Sequence, residues 1–158
     1  MMKRIVSVII IFVVVTGVLK NTVLTVFADN SGKCGEDAYY YFDDDGVLTI
    51  SGSGAMYDYY YSTDAVTSKR PPWYKQLKQI NKVVIQDGIT DVGQYAFYNC
   101  RNLFEIVIGN DVTNLDDYSF TGCNNLLQLE LNDHIEYIGS KTFSGCSSLV
   151  NGYFSGNP

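Results

Sequence analysis

The sequence predicts a β-dominated solenoid of the α/β type, with coils of one length stacked on a parallel β-ladder and a β-hairpin cap over the first coil. Three observations predict it. Apolar, aromatic and cysteine positions recur at a fixed interval of 23 residues from Val83 onward. Each repeat opens on a triplet whose alternation suits a short strand that buries two side chains and shows one. The stretch before the repeats ignores the interval and carries an Asp-Gly turn between two strand-forming runs.

The chain opens with an export signal. Lys3 and Arg4 form a basic start, Ile5 to Val18 is almost wholly apolar, and Val26-Phe27-Ala28 suits signal peptidase. Cleavage is expected between Ala28 and Asp29, making residues 1–28 a signal peptide. A retained anchor is the alternative, but the apolar run falls short of the ~20 residues that span a bilayer, and Lys20 interrupts it. No membrane insertion is expected after cleavage. What remains has 8 basic and 17 acidic residues, a net charge of −9. Such a surface repels nucleic acid and anionic membrane, so neither is expected as a partner.

Residues 29–82 are expected to cap the solenoid, because a first coil needs its apolar end covered. Tyr39-Tyr40-Tyr41-Phe42, Asp43-Asp44-Asp45-Gly46 and Val47-Leu48-Thr49-Ile50 read as a hairpin. The three aspartates also invite a calcium loop, but that needs ligands at alternate positions and a closing Glu, which does not follow. Ser51-Gly52-Ser53-Gly54 reads as a flexible turn and Ser62 to Arg70 as a loop. Trp73, after Pro71-Pro72, is expected to anchor the cap on the first coil. Tyr59 to Tyr61 have two readings, a platform for sugar rings or packing within the cap.

The repeats occupy residues 83–158: VVIQDGITDVGQYAFYNCRNLFE (83–105), IVIGNDVTNLDDYSFTGCNNLLQ (106–128), LELNDHIEYIGSKTFSGCSSLVN (129–151) and a partial row, 152–158. Their columns are strict: Phe97, Phe120 and Phe143; Cys100, Cys123 and Cys146; Leu103, Leu126 and Leu149. A period in the twenties with this pattern marks a leucine-rich-repeat solenoid. The triplets starting at Val83, Ile106, Leu129 and Gly152 are expected to stack into the parallel ladder. Turns follow at Asp87-Gly88, Asn110-Asp111 and Asn132-Asp133. A second apolar pair (Ile89 and Val92 in the first row) and a short helical turn around Tyr95-Ala96-Phe97 complete each coil.

Four cysteines in an exported chain ordinarily indicate disulfides. Here three of them keep the repeat interval, which makes them a structural column of buried free thiols, a position that suits a small apolar residue. Metal or redox chemistry wants C-x-x-C or mixed Cys/His spacing, which is absent. The one histidine, His134, sits in the turn column of Gly88 and Asp111, without the poised surroundings of a general base. No nucleophile elbow or phosphate loop appears. No catalytic residue, metal or cofactor is therefore expected.

The repeat core Ile-Thr-Asp-Val-Gly-Gln-Tyr-Ala-Phe-Tyr-Asn-Cys-Arg-Asn-Leu (89–103) and its two echoes resemble the BspA-type leucine-rich repeats, found mainly in bacterial surface and secreted proteins. Cys34-Gly35, residues 43–56 and Pro72-Trp73 look like the N-terminal cap of Gram-positive members. The resemblance covers residues 34–158. It implies a right-handed solenoid with a concave ligand face, location outside a bacterial cell, roles in attachment, and no catalytic residues. Members are usually longer, and this sequence stops at Gly156-Asn157-Pro158 in mid-coil, so continuation into a longer protein is expected.

In such a solenoid the outward strand positions form the recognition face. By alternation these are Lys82, Val84 and Gln86, then Glu105 and Val107, then Gln128, Glu130 and Asn132, then Asn151 and Tyr153. Their mixture of apolar, acidic and amide groups suits an extracellular protein or carbohydrate. Two functions remain: a binding or adhesion module, or a structural spacer within a larger exported, possibly wall-anchored, protein.

Overall fold

The computed structural model describes residues 11–15, 18–22, 30–62, 69–149 and 151–154. The expected cleavage site at Ala28, most of the Ser62–Arg70 loop and the last four residues lie outside them. Strands β1 (Ile11–Val15) and β2 (Val18–Thr22) pair antiparallel as a two-stranded sheet of their own. Among the described residues no helix is long and apolar enough to cross a membrane.

The cap begins with β3 (Ser31–Lys33), β4 (Gly35–Phe42) and β5 (Val47–Met56), paired antiparallel in chain order. The hairpin expected at the Asp-Gly turn is present. Asp43 explains its tightness: one carboxylate oxygen accepts the Asp45 and Val47 amides at 3.0 and 2.8 Å. Gly46, at φ 83°, takes the left-handed conformation that closes it. The Asp43 carboxylate thus serves the turn itself.

Ser51-Gly52-Ser53-Gly54 is not a flexible turn. These residues lie inside β5, where the strand bends to serve two ladders. Gly52 sits at φ 105°, and a Cβ there would lie 2.1 Å from the Asp37 carbonyl oxygen. The glycine therefore permits a close approach within the hairpin, one of the reasons a strand tolerates glycine.

A single 3₁₀ turn, Tyr74–Gln76, links the cap to the coils. Then come β6 (Lys82–Ile85), β7 (Ile89–Val92), β8 (Glu105–Ile108), β9 (Asn114–Leu115), β10 (Gln128–Leu131), β11 (Tyr137–Ile138) and β12 (Asn151–Phe154). The main ladder runs β4-β5-β6-β8-β10-β12, and every pairing from β5 onward is parallel. Its register, Val83↔Ile106↔Leu129↔Gly152, is the 23-residue interval of the sequence. A second parallel ladder, β5-β7-β9-β11, follows the next apolar pair around the coil. The chain is thus a curved, mostly parallel β-solenoid of the leucine-rich-repeat type.

The segment around Tyr95-Ala96-Phe97 is not helical. Its amides alternate between two partners. Those of Ala96, Tyr98 and Cys100 close turns three residues back, whereas those of Tyr95, Phe97 and Asn99 reach the carbonyls of Asp117, Ser119 and Thr121 in the next coil. Alternation requires left-handed residues, and they fall in two columns: Tyr95, Tyr118 and Lys141, then Asn99, Gly122 and Gly145. The second holds the residue types that accept positive φ readily, and the first does not. Its strain is offset by stacking, since Tyr95 and Tyr118 lie parallel at 4.7 Å and the Lys141 ammonium sits over the Tyr118 ring.

The core is a stack within these coils. Phe97 lies parallel to Phe120 at 5.0 Å, and Phe120 to Phe143 at 5.6 Å. Trp73 completes the stack from the cap, 5.6 Å above Phe97 and fully buried, with its indole N–H donating to the Ala96 carbonyl at 2.9 Å. Tyr40 and Tyr59 meet it edge-on. It anchors the cap, as the sequence leads one to expect. At the other end Tyr137 and Ile138 are exposed and Phe143 only half-buried.

All four cysteines are free thiols, with Cys34, Cys100 and Cys123 buried and Cys146 half-buried. The Cys123 and Cys146 sulfurs lie 3.4 and 3.3 Å from the Phe97 and Phe120 carbonyl oxygens of the preceding coil. Burial pushes the Cys34 thiol up to about 12. It raises Cys100 further, and Cys123 is raised by its hydrogen bond with Cys146 and by burial. Buried, protonated thiols of this kind are inert packing groups.

Candidate functional site

Parallel register turns the outward strand positions into rows across the main ladder. One row runs Val47, Lys82, Glu105, Gln128, Asn151, and the next runs Tyr41, Thr49, Val84, Val107, Glu130, Tyr153. With neighbouring strands ~4.8 Å apart, the second row extends about 24 Å across six strands.

Val107, Gln128 and Glu130 are exposed, and Lys82, Val84 and Glu105 half-buried. Lys82 and Glu105 are ion-paired at 2.6 Å, which fixes both side chains along their row. Gln86 is exposed just beyond β6. The backbones of Asn151 and Tyr153 continue the rows.

Asn132 does not belong to this face. It is 6% exposed, and its side-chain amide donates to the carbonyls of Gly109 and Val112, the second at 3.0 Å. Its own oxygen accepts the His134 amide at 2.8 Å. The strand ends at Leu131, so alternation stops there, and the chain turns inward with Asn132 clamping the bend.

Two residues of the cap join this face. Tyr40 and Phe42 point into the core, which leaves Tyr39 and Tyr41 outward, 40% and 52% exposed. Tyr41 pairs with Thr49 and so extends the Val84–Val107 row into the cap. Lys33 lies over the Tyr39 ring, at 5.6 Å from its centre. The signal was available in the parity of the hairpin, because Leu48 and Ile50 must face inward opposite Phe42 and Tyr40.

Of the tyrosines weighed as a sugar platform, Tyr59 is buried against Trp73, and Tyr61 packs on Tyr74, Tyr95 and Tyr98. Only Tyr60 is exposed. His134 lies in its surface turn, with Nδ1 2.9 Å from the Asn110 carbonyl and Nε2 3.5 Å from the Asp133 carboxylate. From the sequence it has no expected orienting partner. It has two, but both histidine and aspartate are mostly solvent-exposed. Among the described residues no group of three or more His, Cys, Asp or Glu side chains is placed to hold a metal ion.

A family model described as "BspA type Leucine rich repeat region (6 copies)" matches residues 71–157. The comparison with curated proteins gave no match. Among solved structures, a leucine-rich repeat protein from Eubacterium ventriosum is 22% identical, with a TM-score of 0.48, over 79% of this chain and 44% of that one. This chain therefore spans less than half the length of that protein. A leucine-rich repeat protein from Bacteroides capillosus is 17% identical, with a TM-score of 0.49, over 80% of this chain and 99% of that one. A leucine rich cell surface protein from Faecalibacterium prausnitzii is 19% identical, with a TM-score of 0.39, over 75% and 41%.

Proposed function

This chain belongs to the BspA-type leucine-rich-repeat family, and on that premise we propose that it is an exported bacterial surface protein whose outward strand face binds an extracellular protein or carbohydrate. Residues 71–157 are a run of repeats, and we read them as a binding surface and not as catalytic machinery. The observation that carries the binding reading is the continuity of the face. One row of side chains passes unbroken from Tyr41 in the cap through Val84 and Val107 to Glu130. Large apolar side chains stay in solvent along it, with Val107 39% exposed and Tyr41 more so. Exposed aromatic and aliphatic groups ringed by polar ones are how protein surfaces that bind partners are built.

The experiment is a screen of the purified protein against arrayed glycans and extracellular-matrix proteins, repeated with Val107→Arg and Tyr41→Ala. Both positions face solvent, so the variants should melt with the wild type. A partner bound through this face should lose about tenfold or more in affinity, the penalty of a central contact. Capture only of partners that are all indifferent to both substitutions, or no capture on either array, overturns the reading; an acidic glycan held at another site does not count for it or against it.

A further inference from the structure

The 3₁₀ turn of the cap and the turn of the first coil enclose a cleft of about 610 Å³, well within the size of small-molecule sites. Its walls are aromatic. Tyr61 lies 4.8 Å from Tyr98 and 6.1 Å from Tyr74. Its rim is cationic, with Lys75, Lys78 and Arg101 lining it and no carboxylate among the lining residues. The Arg70 guanidinium stacks on Tyr74 at 4.1 Å, bringing a fourth positive charge to the same wall. Half of the eight basic residues beyond position 28 thus meet at one place, on a chain with 17 acids. Among the described residues the ion pairs are Lys82–Glu105 and His134–Asp133, so the lysines and arginine of the cleft stand outside both.

Charge segregation of this kind costs self-repulsion and has no role in packing, because Lys75, Lys78 and Arg101 are exposed. The Tyr61 hydroxyl adds a second sign. It is buried and has no hydrogen-bond partner, whereas buried hydroxyls ordinarily find one.

We infer that this cleft binds a short acidic oligosaccharide, its carboxylate or sulfate held by Lys75, Lys78 and Arg101 and its rings packed against the aromatic wall of Tyr61 and Tyr98. A peptide fits less well. The amides of Tyr74, Gln76, Tyr98, Asn99 and Arg101 are already bonded within the fold, so they offer an extended chain no donors to pair with. Sugar rings need no such pairing, and the amide side chain of Asn99 lies at the same rim for their hydroxyls. This site is separate from the strand face and stands whether or not that face binds anything.

The test is calorimetric titration of the purified protein with a heparin-derived tetrasaccharide and with tetragalacturonate, against neutral cellotetraose and hexaglutamate. The two acidic sugars should bind, and more weakly as salt is raised, because surface charge is screened. The double variant Lys75→Gln/Lys78→Gln should lose about tenfold in affinity with an unchanged melting temperature. Tyr98→Ala, which removes the platform, should lose binding as well, whereas Val107→Arg on the strand face should leave it untouched. Equal binding of cellotetraose, equal or tighter binding of hexaglutamate, indifference to the double substitution, or no binding of either acidic sugar overturns the inference.

Discussion

Replacing Phe120 by alanine removes the middle ring of the stack on which the coils depend. The side chain is fully buried and touches a parallel ring on each side, Phe97 at 5.0 Å and Phe143 at 5.6 Å. Collapse cannot readily fill the space. Above and below, the turns are tied by the bonds of the Phe97 amide to Ser119 and of the Phe120 amide to Thr142, which set the distance between coils. A cavity of this kind costs about 3–5 kcal/mol. For a domain of this size each kcal/mol moves the melting temperature by about 4 °C, so a fall of roughly 12–20 °C is expected. His134→Ala is the matched comparison. It removes an exposed ring from a surface turn and should change stability by no more than about 0.5 kcal/mol. Thermal unfolding followed by circular dichroism reads both. Equal melting temperatures, or a loss at Phe120 below about 1 kcal/mol, would refute the aromatic column as the stabilising element.

Two further substitutions test the cap. Asp43→Ala deprives the Asp45 and Val47 amides of their shared acceptor and should cost about 1–2 kcal/mol in urea unfolding, while Asp43→Asn, which keeps an oxygen there, should recover most of it; equal losses would show that the side-chain oxygen does not hold the turn. Burial raises the Cys34 thiol from 9.0 to about 12, so its contribution to stability is complete below pH 9 and fades as pH rises towards 12, where the unfolded chain ionises and the folded one does not. Cys100 and Tyr59 are raised by burial too and act in the same direction. Unfolding measured across that range should therefore show a steady loss with pH, shallower in Cys34→Ala; an unchanged slope in that variant would contradict the burial effect.

The coils were legible because repetition puts one residue type into one environment several times over. Phe97, Phe120 and Phe143 declare a common core position in a way that none would alone. The second ladder was not legible, because Asn114–Leu115 and Tyr137–Ile138 are too short to show alternation. The conformation of the turn around Tyr95 is illegible for a related reason. Tyr95, Tyr118 and Lys141 give no hint of positive φ, and their conformation is held by bonds to the next coil, which local sequence does not contain. Tyr39 and Tyr41 are legible only across the turn, through the inward Leu48 and Ile50, because a run of four aromatic residues has no polar member of its own to mark its outward side. The cleft at Lys75, Lys78 and Arg101 escaped because its two walls come from segments more than twenty residues apart, each unremarkable alone.

The cap does more than cover the first coil. Parallel strands from separate coils must close long loops before any hydrogen bond forms, which makes the first parallel pairing the costly one. The β4–β5 hairpin closes through four residues and needs no such loop. Once formed, it presents β5 as an edge to both later ladders, Val47 to Ile50 for β6 and Gly54 to Ala55 for β7. Gly52, at φ 105°, lies between the two segments of β5 that template the two walls. Trp73 then fixes the third side by entering the phenylalanine stack. Register set in this way passes unchanged from coil to coil at each 23-residue step. The outward row that begins at Tyr41 is therefore as straight as the hairpin makes it, and the surface proposed to bind a partner is a product of the cap as much as of the repeats.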